Sequence, residues 1–298
     1  LCLRMRLSRP RIQEFLQEWL SIALSVGCIN QCISEGGRAA APLEEELVAE
    51  TQQAELLHAD ETGWKESGRT VWLWVLRTAT VTLYMIGRRS WDVIADVMEH
   101  FAGWLMSDGY AQYRHYGQRL RCLAHIICKS KGLAESYDAQ AAAFGEKVLK
   151  FLSLFIWGIY AARGDPSLNL PEKFAQELTQ LRELCEQHRD HPHDKTRGLA
   201  RELLNDWDAI WNVLTYPELP ITNNVAERAL RHWVIARTQQ SSRAYTLIGQ
   251  RHRHMPATGY CALALHRPGD CRASPGQPSP APFPADCSSI PPPVFMGG

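Results

Sequence analysis

Three closely spaced segments constrain this chain more than anything else in it. Leu56-Leu57-His58-Ala59-Asp60, Thr70–Leu76 and Thr80–Ile86 are short, rich in β-branched, aromatic and other apolar residues, and separated by turn-sized gaps. Runs of this kind need the pleated surface of a sheet, since their side chains crowd a helix and pack well across strands. Ahead of them the pattern is helical: Ile12, Phe15, Leu16, Trp19, Leu20 and Leu24 recur at helical spacing. The stretch Leu24–Ile33 suits either the second half of a helix-turn-helix or a plain helical hairpin. After the strands, Ser90 is placed to cap a helix carrying Val93, Ile94, Val97, Met98 and Phe101. Gly103–Asp108 predicts a fourth strand and Arg119–Ala124 a fifth. From there to about Asn212 the chain is helical, with breaks near Gly164-Asp165-Pro166 and His191-Pro192. Pro217 and Pro220 precede a last helix from Val225 to about Thr238. The order implies an α/β fold, a mixed sheet covered by helices.

Composition excludes several classes. With 45% hydrophobic residues the chain can build a core. No apolar run approaches the length of a membrane span, and Arg4, Arg6, Arg9 and Arg11 break any signal-peptide pattern. Nine cysteines without a regular framework point to reduced thiols and a cytoplasmic location. The tryptophans at 72, 74, 104, 207 and 211 are expected in the core, and Cys28 and Cys32 as thiols packed along a helix. Residues 256–298 hold ten of the 17 prolines and no periodicity, so residues 251–298 read as a disordered Pro-rich tail.

The formal net charge is zero, but the charge is unevenly distributed. Leu43–Thr62 carries acids and no Lys or Arg, whereas Arg114, Arg119, Arg121, Lys129 and Lys131 stand together without an acid. Between Ile221 and His254, Glu227 is alone among Arg228, Arg231, Arg237, Arg243, Arg251 and Arg253. Basic faces of this kind suit phosphate contact, although they equally describe solvated helix surfaces.

Three carboxylates draw attention. Asp60 closes the first predicted strand, where α/β sheets often place ligands, yet Asp60-Glu61-Thr62-Gly63 is also a turn sequence. Asp108 closes the fourth, but Asp108-Gly109 is an ordinary turn dipeptide. Glu227 stands three residues after Asn224, the spacing of a capping box, and can pair with Arg231 one turn on. Metal-assisted phosphodiester chemistry needs hard oxygen ligands from separate elements, and two such ions can activate an attacking oxygen and stabilise a leaving one. Spacing alone permits such a site without identifying it.

At these residues the chain resembles the insertion-sequence-sixty-six transposases of bacterial mobile elements. Four blocks in the family's order carry the resemblance: His58-Ala59-Asp60-Glu61-Thr62; Ser107-Asp108-Gly109-Tyr110 with Tyr113; Cys122-Leu123-Ala124-His125; and Thr222-Asn223-Asn224-Val225-Ala226-Glu227-Arg228-Ala229-Leu230-Arg231. It extends over roughly residues 5–250. The resemblance implies a ribonuclease-H-like catalytic domain over residues 56–250, with a helical insertion over about 130–215 between the second Asp strand and the Glu helix. Residues 1–55 would belong to a DNA-binding region. It also implies a catalytic and metal-binding triad of Asp60, Asp108 and Glu227, holding two Mg²⁺ ions for which Mn²⁺ can substitute. His125, Arg228, Arg231 and Arg237 would contact DNA, and Asn223 and Asn224 would cap and orient the Glu helix. The activity implied is cleavage of element ends and strand transfer into target DNA. The expected partners are double-stranded DNA, a second copy of the chain and other proteins of the same element, at the bacterial nucleoid.

The chain departs from the family at both ends. Set beside the family's usual N-terminal zinc-binding module, the sequence read from Leu1 would be expected to mostly lack it, and Thr238–Arg243 looks shortened. Beyond about Gly249 the resemblance ends, and a Pro-, Cys- and Arg-rich tail is what translation in a shifted frame would be expected to give. A truncated copy, acting only as a DNA-binding remnant, is therefore the alternative function, and a ribonuclease-H-like nuclease outside mobile elements is a third. Cys122, His125 and Cys128 have residue types that zinc accepts, but no second pair has matching spacing, so zinc is not expected.

Overall fold

The computed structural model describes residues 1, 7–66 and 69–239. The helical periodicity ahead of Leu56 becomes α1 (Arg9–Leu20), α2 (Val26–Ala39) and α3 (Ala41–Gln52). Ser25 caps α2 by accepting from the Cys28 amide at 3.1 Å. Only Ile12 and Ile29 among the apolar residues of these helices are buried. Cys32 is exposed, contrary to its expected packing role, because it lies on the solvent side of α2.

The five predicted strands form one mixed sheet. They are β1 (Leu56–Glu66), β2 (Arg69–Arg77), β3 (Thr82–Gly87), β4 (Trp104–Ser107) and β5 (Arg119–Arg121), in the order β3-β2-β1-β4-β5. β1, β2 and β3 form an antiparallel meander, whereas β4 and β5 add parallel to β1. A parallel neighbour needs a crossover, which a 3₁₀ turn at Trp91–Val93 and α4 (Ala95–Glu99) supply. Ser90 precedes this turn but makes no cap hydrogen bond to it.

β5 ends at Arg121, short of the expected Ala124, because Leu123 and Ala124 already open the next helix; two further strand boundaries differ for local reasons. β3 starts at Thr82, because Thr78 Oγ1 accepts from the amides of Thr80 and Val81 and holds Thr78–Val81 as a turn. β1 runs on to Glu66, so Asp60 lies within the strand and does not close it. The hairpin partner β2 pairs with residues 58–66, while the parallel partner β4 stops at His58↔Met106. Asp60 therefore sits just past the end of the parallel ladder, with β2 still on its other side.

Alternation along β1 sorts its residues between two faces. Leu57, Ala59 and Glu61 face one way, and Leu57 and Ala59 pack there with Trp74, Leu76, Leu105 and the crossover residues Ile94, Val97 and Phe101. His58, Asp60 and Thr62 face the other way, on the side of Leu73 and Val75. The last helix, Asn224–Gln239, covers that second face with Ala226, Ala229 and Leu230. Each fully buried large apolar side chain in these layers contributes about 1.5–3 kcal/mol.

Between β5 and the last helix stand α5 (Leu123–Ala134), α6 (Ala139–Gly164), α7 (Leu170–Lys173), α8 (Ala175–Gln187), α9 (Asp194–Asn205) and α10 (Trp207–Thr215). They have a core of their own, with Phe144, Phe155, Leu181, Leu203 and Ile210 at its centre. The last helix is α11. Trp74 and Trp211 are buried, and Trp72, Trp104 and Trp207 pack partly buried against the clusters, as expected of core tryptophans.

Charge joins the helical block to the sheet. Asp206 accepts from Arg114 Nε at 2.9 Å and Arg119 Nη2 at 3.0 Å, and Arg121 Nε lies 3.3 Å from it. Glu202 pairs with Arg121 and, at 2.6 Å, with Lys129. The basic run 114–129 is thus largely consumed by two acids from α9 and its C-terminal junction, and Arg121 is buried. This corrects its reading as a phosphate-binding face. No helix among the described residues is long and apolar enough to cross a membrane.

Candidate functional site

Asp60, Asp108 and Glu227 come from three elements that meet on the α11 side of the sheet. Asp60 points there by strand alternation, and its Oδ1 accepts from the Glu61 amide at 2.9 Å. Asp108 directly follows β4, in step with Met106, which pairs with His58 on the same face. Its Oδ1 accepts from the Tyr110 amide at 2.9 Å, so the expected turn exists and the carboxylate closes it. A Cβ at Gly109 would lie 2.7 Å from Arg121 Nη2 and Glu202 Oε1, so any other residue there would have to displace the ends of that ion pair. The Asp108 turn is thereby seated on the buried ion-pair network. Glu227 lies in the first turn of α11, half-exposed.

Burial raises the Asp60 carboxyl to about 7, with Asp108, Glu61 and Glu227 adding repulsion and only the Glu61 amide opposing it. Among the described residues, no ion pair relieves Asp60 or Asp108. His125 Nδ1 lies 3.8 Å from Glu227 Oε1, and among the described residues no ion pair joins Glu227 to Arg231. Arg228 and Arg231 are exposed on α11. Arg237 lies on the same helix, with its side chain outside the described residues.

Asn223 does more than cap. Its backbone carbonyl accepts from the amides of Ala226 and Glu227, starting α11. Its fully buried side chain crosses to β1, donating from Nδ2 to the Ala59 carbonyl at 2.8 Å. Asn223 Oδ1 lies 3.1 Å from His58 Nδ1, which assigns that nitrogen the proton. Burial lowers the His58 pKa, against the Asn223 hydrogen bond. Asn223 N also donates to Cys122 Sγ at 3.2 Å. The expected side-chain cap is replaced by a three-way junction of β1, α5 and α11. Asn224 is partly buried beside it.

Glu61, adjacent to Asp60, takes no part in this face. Its Oε2 accepts from Tyr113 at 2.6 Å and its Oε1 from Arg89 at 2.8 Å, on the opposite side of the sheet. Burial raises its pKa, against the Tyr113 and Arg89 hydrogen bonds. Arg89 in turn stacks on Trp72 and Tyr110. Sequence reasoning overlooked His58 and Glu61 as separate structural parts; the alternation of β1, read with a longer strand, would have assigned them to opposite faces.

Asp60, Asp108 and Glu227 offer only carboxylate oxygens, the ligand type a hard divalent cation takes. Cys122, at the start of α5, His125 and Glu227 form a second grouping, with one ligand atom from each within 4.8 Å of the others. Cys128 is exposed and stands outside it.

Fold and site together define a mixed α/β protein with a carboxylate-lined face closed by an arginine-bearing helix. Residues 5–246 match the Transposase IS66 family, and the chain belongs to that family. The matched range agrees with the resemblance carried by the four sequence blocks. Comparison with curated proteins finds no match.

Proposed function

We propose that the chain is a DDE-type DNA transposase whose catalytic domain is ribonuclease-H-like, cleaving element ends and joining them to target DNA. The observation that carries this reading is the convergence of Asp60, Asp108 and Glu227 on one face of the sheet, in a chain whose residues 5–246 match the Transposase IS66 family. Clustered carboxylates with no internal cation are costly to fold, and such a face suits an external cation. Three antiparallel strands continued by two parallel ones support the fold assignment.

Two Mg²⁺ ions, replaceable by Mn²⁺, would activate an attacking oxygen and stabilise charge on the leaving one. Asp60 and Asp108 would hold them from the sheet, and Glu227 would close the set from α11. Arg228 and Arg231 would contact the phosphates of double-stranded DNA, with His125 near the scissile one. Asn223 would keep Glu227 in register with Asp60 through its bond to Ala59. A second copy of the chain would supply the other element end.

Thermal unfolding under increasing Mn²⁺ tests the reading. A native-state ligand at a hundredfold excess over its dissociation constant stabilises by about 2.7 kcal/mol. The full chain should show saturable stabilisation, lost in Asp60→Ala and Asp108→Ala and weakened in Glu227→Ala. An identical response in all four proteins would remove the triad. A full metal response with salt-sensitive DNA binding but no cleavage would favour the inactive DNA-binding remnant.

A further inference from the structure

Glu227 faces two different chemistries. On one side are the oxygen ligands of the sheet; on the other are a sulfur and an imidazole. Cys122 Sγ, a His125 ring nitrogen and a Glu227 oxygen lie within 4.8 Å of one another, and His125 Nδ1 is 3.8 Å from Glu227 Oε1. Three ligands arranged tetrahedrally around one zinc ion stand about 3.5 Å apart, given bonds of about 2.0–2.3 Å. Closing the observed triangle calls for rotation of the half-exposed His125 and Glu227 side chains toward the buried Cys122 Sγ. His125 Nδ1 is itself buried without a hydrogen-bond partner. Cys122 and His125 are held three residues apart at the start of α5, and the Asn223 amide directed at Cys122 Sγ supplies an outer contact.

We propose that Cys122, His125 and Glu227 bind a thiophilic divalent cation, Zn²⁺ by ligand chemistry, through three protein ligands with one position left to water. Mg²⁺ would not choose this set, because sulfur and imidazole are poor ligands for a hard cation. On binding, the Cys122 S–H proton leaves to solvent and the thiolate joins the cation. Because Glu227 is shared, a cation here withdraws it from Asp60 and Asp108. That competition rests on the transposase reading; the binding does not.

The test is a Co²⁺ titration of the full chain, followed by the near-ultraviolet thiolate-to-cobalt absorption and its bleaching by Zn²⁺. The band should appear at one equivalent, vanish in Cys122→Ser, and persist in Cys128→Ser and in the Cys28→Ser, Cys32→Ser double variant. His125→Ala and Glu227→Gln, at half-exposed positions that do not threaten folding, should each weaken binding at least about tenfold. A band that survives Cys122→Ser, or an affinity unchanged in both His125→Ala and Glu227→Gln, would overturn the site. Loss of Mn²⁺ stabilisation with Co²⁺ binding intact would instead remove the carboxylate reading and leave this one standing.

Discussion

The Asn223 side chain donates to the backbone carbonyl of Ala59, the residue before Asp60, at 2.8 Å. The parallel ladder between β1 and β4 stops at His58↔Met106, and Asn223 takes up the next carbonyl of β1. One amide thus fixes the distance between the strand that carries Asp60 and the helix that carries Glu227.

Replacing Asn223 with Ala leaves His58 Nδ1 and the Ala59 carbonyl buried without this partner, at a cost of about 2–4 kcal/mol. Asn223→Asp keeps an acceptor for His58 but loses the donor to Ala59, and adds charge beside Asp60. Both variants should unfold at lower denaturant concentration, and both should lose Mn²⁺ affinity with Asp60 and Glu227 still present. Unchanged Mn²⁺ affinity in a folded variant would show that the junction is structural alone.

Asp60 makes a pH-dependent prediction. Its folded pKa of about 7 lies above its ordinary value of 3.8, so the native state binds the extra proton. The stability this group contributes is present below pH 3.8 and is lost as pH rises through about 7. Asp60→Asn, which keeps an acceptor for the Glu61 amide, should therefore raise Tm at pH 8 by at least about 3 °C without metal. At pH 5 the gain should shrink, and saturating Mn²⁺ should reverse it. Equal gains at both pH values would remove the charge explanation.

Asp206 should behave oppositely. Burial alone would raise its pKa, but hydrogen bonds from Arg114 and Arg119 and the nearby Arg121 charge overcome it and lower the value. Its contribution is present above the unfolded pKa and lost as pH falls through the lower folded one. Asp206→Ala strands Arg114 and Arg119, leaves Arg121 with Glu202 alone, and should destabilise by about 3–5 kcal/mol. Asp206→Asn should flatten the loss of stability below about pH 4 relative to the unmodified chain. Denaturant titrations across pH 3–7 would measure both effects.

Arg228 and Arg231 are exposed, so Ala at either position should leave Tm within about 1 °C. If they reach DNA phosphates, each substitution should lower the salt slope of DNA binding by about 0.9. A salt slope unaltered in the double variant would exclude α11 from the DNA path.

The strands, the crossover and the helical block were legible because each is a local pattern: β-branched runs, a 3.6-residue period, prolines at the breaks. The four family blocks likewise carry Asp60, Asp108, His125 and Glu227 as a set. The length of β1 was not legible, since a strand continues only as far as its neighbours pair with it, and β2 lies in a different segment. Arg114, Arg119 and Arg121 looked like a surface for phosphate because their acids, Glu202 and Asp206, stand more than eighty residues later.

Sequence alone determined the kind of elements present and the family to which the chain belongs, since both rest on short-range order along the chain. Tertiary structure decided which neighbours share a site. Asp60 and Glu61 are adjacent and equally acidic, yet pleating sends one toward α11 and the other to Tyr113 and Arg89. Asn223 opens α11 through its backbone carbonyl and also ties three elements together, because burial leaves its side-chain amide only the Ala59 carbonyl and His58 ring to satisfy it.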